Sequence, residues 1–192
     1  MTVDDPANAA PNHSPVDPAA AIGVATGRTV KLEEVLSRHV TWIGSGWEIG
    51  CRADLHGVDL HGLKLAGALL ADADLHRADL HEAHLNGAEL DGADLHRADL
   101  HSADLHGADL RWADLHDADL NGANLRGAVL READLHRAVL IAADLTAADL
   151  TLADLRGANL SEVRGLKPSQ LDLAITDPET QLPGTLQTPG SP

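Results

Sequence analysis

Nine of the twelve histidines follow an aspartate by two residues, as in Asp54-Leu55-His56 and Asp94-Leu95-His96. A carboxylate beside an imidazole is the pairing that orients a general base. Two imidazoles with a carboxylate are also a donor set for Zn²⁺, Ni²⁺ or Cu²⁺. A catalytic dyad occurs once, in a cleft, whereas this pairing recurs nine times. The chain also shows no nucleophile elbow, P-loop or Gly-rich phosphate turn. No catalytic residue and no enzyme activity are therefore expected. A metal centre needs a closed ligand set and supporting outer groups, which the sequence does not supply. No metal site and no cofactor are expected, beyond weak, incidental affinity at several equivalent places.

The spacing of the apolar residues dictates what carries these groups. Leucine occupies every fifth position from Leu55 to Leu160, twenty-two times without exception. The residue two before it is Ala in twenty units, Val58 and Leu63 being the departures, and the residue just before it is Asp fourteen times and Asn twice. A five-residue step turns an α-helix by about 140° and scatters the leucines around it. In a flat strand an odd step sends successive leucines to opposite faces. The remaining solution is a chain that bends once per unit, with Leu and the residue two before it pointing inward. Ala-Asp-Leu-His recurs at Ala53, Ala73, Ala93, Ala113 and Ala133, and Ala153 opens the variant Ala-Asp-Leu-Arg. Four units thus make one coil with four sides, the sequence signature of a solenoid.

These units resemble the pentapeptide-repeat family over residues 53–162. The resemblance implies an all-β solenoid, a right-handed quadrilateral β-helix of about five and a half coils. The flanks are similar to family members as well. His39-x-x-Trp42-Ile43-x-Ser45 and Gly50-x-Arg52 resemble a segment that precedes the first coil. Pro168-x-Gln170-Leu171 and Asp177-x-x-Thr180-x-Leu182-Pro183 resemble a C-terminal cap. Trp47 stands where relatives often carry Gly, so a different turn is expected there.

Residues 1–28, rich in Pro, Ala, Asp and Asn, read as a disordered tail. Residues 29–52 read as an N-terminal cap, with an amphipathic helix over 30–40 presenting Leu32, Val35, Leu36 and Val40 on one side. Together with Trp42 and Trp47 that helix is expected to cover the open first coil. Residues 163–183 read as a C-terminal cap in which Pro168 starts a brief helix through Ile175; residues 184–192 read as a flexible tail. Cys51 is the single cysteine, which points to a reducing compartment. No signal peptide or membrane-spanning run is visible, so a cytoplasmic protein without membrane contact is expected.

Residues twenty apart stack in columns. The first side carries an acidic and histidine ladder: Asp54, Asp74, Asp94, Asp114, Asp134 and Asp154 beside His56, His76, His96, His116 and His136. The second side repeats it with Asp59, Asp79, Asp99 and Asp119 beside His61, His81 and His101. The fourth side differs, carrying Leu69, Arg111, Trp112, Val129, Arg131 and Leu152 outward. Arg and Trp are favoured at protein interfaces, so this side is the expected partner-binding surface, with Arg111, Trp112, Arg131 and Leu152 close in space. A homodimer through an end cap is a further expectation.

Between residues 51 and 162 lie 21 acidic and 9 basic residues, a net of −12 with neutral His. Along a rod of roughly 26 Å that is one charge per about 2 Å, close to the density of duplex DNA. Direct nucleic-acid binding is excluded. The favoured function is a rigid acidic binding or scaffold surface for a protein partner whose identity the residues do not name. The resemblance implies an alternative, a DNA mimic that binds DNA gyrase or topoisomerase IV and protects against quinolone-type inhibitors. Gyrase-directed relatives carry Phe at many central positions and some have projecting loops. This chain departs from both habits, with Leu throughout and no insertion between Ala53 and Leu160.

Overall fold

The computed structural model describes residues 22–25 and 28–186. Strands β1 (Ile22–Ala25) and β2 (Arg28–Lys31) pair antiparallel and lead into helix α1 (Leu32–Gly44). This short ladder lies in and beside the stretch expected to be disordered; residues 1–21, 26–27 and 187–192 lie outside the described residues. Glu33 and Glu34 occupy the first turn of α1, where a helix dipole favours negative charge.

The helix starts two residues later than expected and runs four further. Leu32 is buried, and Val35 and Leu36 pack against the core. Val40, expected on the same side, is 44% exposed. At about 100° per residue, a stripe through Leu32, Val35 and Leu36 continues onto residue 39 and leaves residue 40 on its flank. His39 accordingly takes the buried place, at 0% exposure.

From Asp54 to Asp144 every fifth residue forms a parallel bridge to the residue twenty positions on. This is a β-helix solenoid whose coil closes after four units. All twenty-two leucines are buried, and the Ala column fills the space beside them. Val58 is buried and Leu63 half-buried in that same inner column. Such a core gains its stability by stacking, each coil covering its neighbours.

Each corner is closed by one turn. The Leu carbonyl accepts from the N–H three residues on, as Leu55 O does from Val58 N at 3.1 Å. The second residue after Leu has positive φ at every corner, from Gly57 (62°) to Glu162 (59°). That is the signature of a type II turn, which Gly adopts freely. Nine of these corner residues are Gly and thirteen carry side chains, each at a cost of about 1 kcal/mol. Trp47, ahead of the first coil, has φ of 73°. The backbone there keeps the left-handed form that Gly prefers, and the indole sits on it.

The end of the rod departs from the register. Asp154 pairs with Ile175 and Asn159 with Gln181, one and two residues beyond the twenty-residue step. Helix α2 (Pro168–Leu171) occupies the place where Asp149 would find its next partner. It is shorter than the expected run to Ile175, because Ile175 is taken up in ladder bonds with Ala153 O and Leu155 N, both at 2.8 Å. Side chains supply further bonds. Gln170 Nε2 donates to Leu145 O and Ala148 O, and Thr180 Oγ1 to Leu155 O. Asp177 Oδ1 accepts from Gly157 N, Glu179 N and Thr180 N. Among the described residues no helix is long and apolar enough to cross a membrane.

Candidate functional site

The aspartates are explained by an accounting of backbone N–H groups. In each regular unit the N–H before Leu donates to the preceding coil, as Asp74 N does to Ala53 O. The N–H groups of Leu and of the corner residue donate to the following coil, as Leu55 N does to Asp74 O and Gly57 N to His76 O. The inner Ala N–H closes the turn. One donor per unit remains, that of the residue just after Leu. At all fourteen Asp and both Asn positions the side-chain oxygen accepts this bond, at 2.9–3.4 Å. These are Asx turns. The Asp of Asp-Leu-His therefore holds the backbone of the His, not its imidazole.

The first-side ladder stands as the columns require. Asp54, Asp74, Asp94, Asp114, Asp134 and Asp154 are joined by successive backbone bridges. Rings of His56, His76, His96, His116 and His136 follow one another at 4.9–5.1 Å. His76 and His96 are stacked at 27°, and each buries its Nε2 without a hydrogen-bond partner. Asp154 is held below the usual carboxylate range, first by its bonds with Arg156. At the neighbouring corner Asp117 lies 3.4 Å from both Arg97 and Arg137. Burial opposes its ionisation, but those cations and His116 prevail and hold it low.

The fourth side gathers Arg111, Trp112, Val129 and Arg131 around a shallow hollow of about 490 Å³. Arg111 makes a two-pronged bond to Asp109, with Nη2 2.6 Å from Oδ2, and its guanidinium lies 5.4 Å from the Trp112 ring centre. Trp112 is 56% exposed on a corner with φ of 57°. Arg131 reaches Asp149 at 3.8 Å, and the Thr151 hydroxyl, at 2.6 Å, pulls the Asp149 carboxyl below its usual value.

The other two residues expected here stand apart. Glu132 occupies the corner between Trp112 and Leu152, which puts Leu152 two coils, about 10 Å, away and outside the hollow. Leu69 lies three bridges below Val129, by way of Glu89 and Asp109. Conversely, Asp109, Glu132 and Asp149 line the hollow without having been singled out. They stand in the same twenty-residue columns as Val129, Trp112 and Leu152, and that column position is their signal in the sequence. A second grouping appears on the second side, where ligating atoms of His61, Asp79 and His81 all lie within 4.8 Å of one another.

Eight copies of the pentapeptide-repeat pattern match the chain, over residues 53–90, 78–117, 108–146 and 133–164, together more than half its length. No curated protein matches it. Several solved structures are similar. Rfr23, a pentapeptide repeat protein of the cyanobacterium Cyanothece 51142, is 32% identical over 52% of this chain and 63% of its own, with a TM-score of 0.31. This chain therefore spans less than two thirds of Rfr23. HetL of Nostoc sp. strain PCC 7120, involved in heterocyst differentiation regulation, is 33% identical over 65% of this chain and 67% of its own, with a TM-score of 0.23. QnrB1, a plasmid-mediated fluoroquinolone resistance protein, is 18% identical over 67% and 79%, with a TM-score of 0.36. The superpositions are poor, and the repeat pattern carries the assignment.

Proposed function

The chain belongs to the pentapeptide-repeat family and forms its right-handed β-helix, and on that premise we propose that it acts in the cytoplasm as a non-enzymatic scaffold for a protein partner. In this reading residues 53–162 are a quadrilateral rod of about five and a half coils, closed by caps at 29–52 and 163–183. One observation carries the binding role. Trp112, the largest side chain at any repeat corner, stands more than half exposed in a backbone conformation suited to Gly, with Arg111 packed beside its ring. Twelve other side-chain-bearing corners share that conformation, so it is the exposed indole with its neighbouring guanidinium that points to a use: Trp with Arg is the combination that anchors interfaces.

The test compares affinity capture from cells of the source organism by wild-type protein and by Trp112→Ala and Arg131→Ala. A partner held by wild type and lost from both variants is the expected result. Identical capture by all three ends this reading.

A second reading is favoured by the unbroken column from Asp54 to Asp154, a line of carboxylates that imitates a nucleic-acid backbone toward DNA gyrase. Supercoiling assays with purified gyrase, with and without a fluoroquinolone, separate the two. Inhibition or drug protection would favour mimicry; neither effect would leave the scaffold alone.

A further inference from the structure

We propose that the second side of the rod binds one divalent transition-metal ion between His61, Asp79 and His81. Their ligating atoms lie within 4.8 Å of one another, and the two rings are 4.8 Å apart at 61°. Two imidazoles and a carboxylate suit Zn²⁺ and its neighbours, which bind such ligands at about 2.0–2.2 Å. Closing a metal's ligand shell asks for side-chain rotation of about 1 Å on each partner. His61 is exposed and His81 half-exposed, so both rings can turn.

What does not move is the frame beneath them. Asp59 and Asp79 form a backbone bridge, which stacks the turn of His61 directly on that of His81. Asp79 Oδ1 accepts from His81 N at 3.1 Å. That bond orients the carboxylate and leaves its second oxygen as the ligand atom. Glu82 Oε1 lies 3.5 Å from His81 Nε2 and brings another carboxylate to the rim. A formal charge of −16 raises the local concentration of any cation.

The first side shows why the sequence pattern alone is not sufficient. It carries the same Asp-x-His columns, yet His76 and His96 bury their Nε2 atoms against the stack. An ion cannot reach those nitrogens without opening the column. Among the described residues, this level of the second side alone brings three such ligating atoms together.

Zn²⁺ titration of the tag-free, full-length chain by calorimetry tests this. One Zn²⁺ equivalent tighter than the rest is expected. Its affinity should fall about tenfold or more in His61→Ala, His81→Ala and Asp79→Asn, and stay unchanged in His76→Ala. Asp79→Asn is the sharpest variant, because Asn124 and Asn159 already make the same Asx bond, so the turn survives while the anionic ligand is lost. Wild-type binding that fits a set of equal weak sites, or variants that titrate like wild type, would overturn the proposal.

Discussion

The two ends of the rod are finished by different chemistry. At the C-terminal end the ladder runs out onto polar side chains: Gln170 and Thr180 donate to Leu145 O, Ala148 O and Leu155 O, and Asp177 accepts from Gly157 N. At the N-terminal end α1 lays Leu32, Val35 and Leu36 over the core. There one imidazole joins the helix to the first coil, His39 Nδ1 accepting from Ala53 N at 3.0 Å. The C-terminal segment also packs Leu166, Leu171, Ala174 and Leu182 on the core. An open β-helix lacks both hydrogen bonds and apolar cover at its ends; the C-terminal end restores both, whereas the N-terminal end relies on apolar cover with a single imidazole bond.

Substitutions at each end break or sharpen that contrast. The largest effect is expected of Gly50→Ala. Gly50 has φ of 97°, and a Cβ there would meet Arg38 O and lie 2.9 Å from Trp42 N. Displacing α1 from the first coil should cost about 3 kcal/mol, read as a lowered denaturation midpoint. Next is Thr180→Val at the opposite end. It keeps the shape but removes one of the two donors to Leu155 O, Ala158 N remaining, and the acceptor of Asp177 N, and a loss of about 2 kcal/mol is expected in the same measurement. If both variants melt like wild type, neither end is closed in the way described.

Ala147→Gly near the C-terminal end works in the other direction. Its φ of 59° is left-handed, and Gly should raise stability by about 1 kcal/mol. A fall instead would mean that flexibility gained in the unfolded chain outweighs the relieved strain. The smallest effect is a pH dependence confined to the N-terminal end. Burial pushes the His39 imidazole below its usual value, against the opposing influence of the Ala71 carbonyl and Asp72, and its Nε2 makes no hydrogen bond of ordinary geometry. The unfolded chain then binds a proton more readily than the folded one. His39's contribution is fully present above the ordinary His value of about 6.5 and is lost as pH falls from there toward the lower folded value. Melting curves across that range should show a slope that His39→Leu removes.

Much of the fold was legible in the period of five, because a buried column tolerates no exceptions and twenty-two leucines show none. The stacked columns of Asp and His followed from the same count. Other features depended on geometry that a pattern does not carry. Val40 and His39 exchanged roles because the apolar stripe on α1 rotates past residue 40. Helix α2 stopped early because Ile175 had backbone partners to meet. The Asp of each Asp-Leu-His unit looked like a partner for the imidazole, and only a census of N–H donors shows that it holds the backbone instead. Leu152 looked adjacent to Trp112 until Glu132 was placed between them. Which histidines bury a ring nitrogen, as His76 and His96 do, was not legible at all, since ring orientation depends on packing against neighbours along the stack.

The Asx bonds carry one more consequence. The Asx bond needs an oxygen at the position before Leu, and Asn124 and Asn159 supply it without a charge. Folding and electrostatics are therefore separable variables in this molecule: a chain with Asn in every such place would keep the bond and discharge its ladders. The preponderance of Asp is thus a record of what surrounds the rod, or of the stronger bond an anion accepts. Replacing the columns one side at a time would show which of those two pressures wrote it.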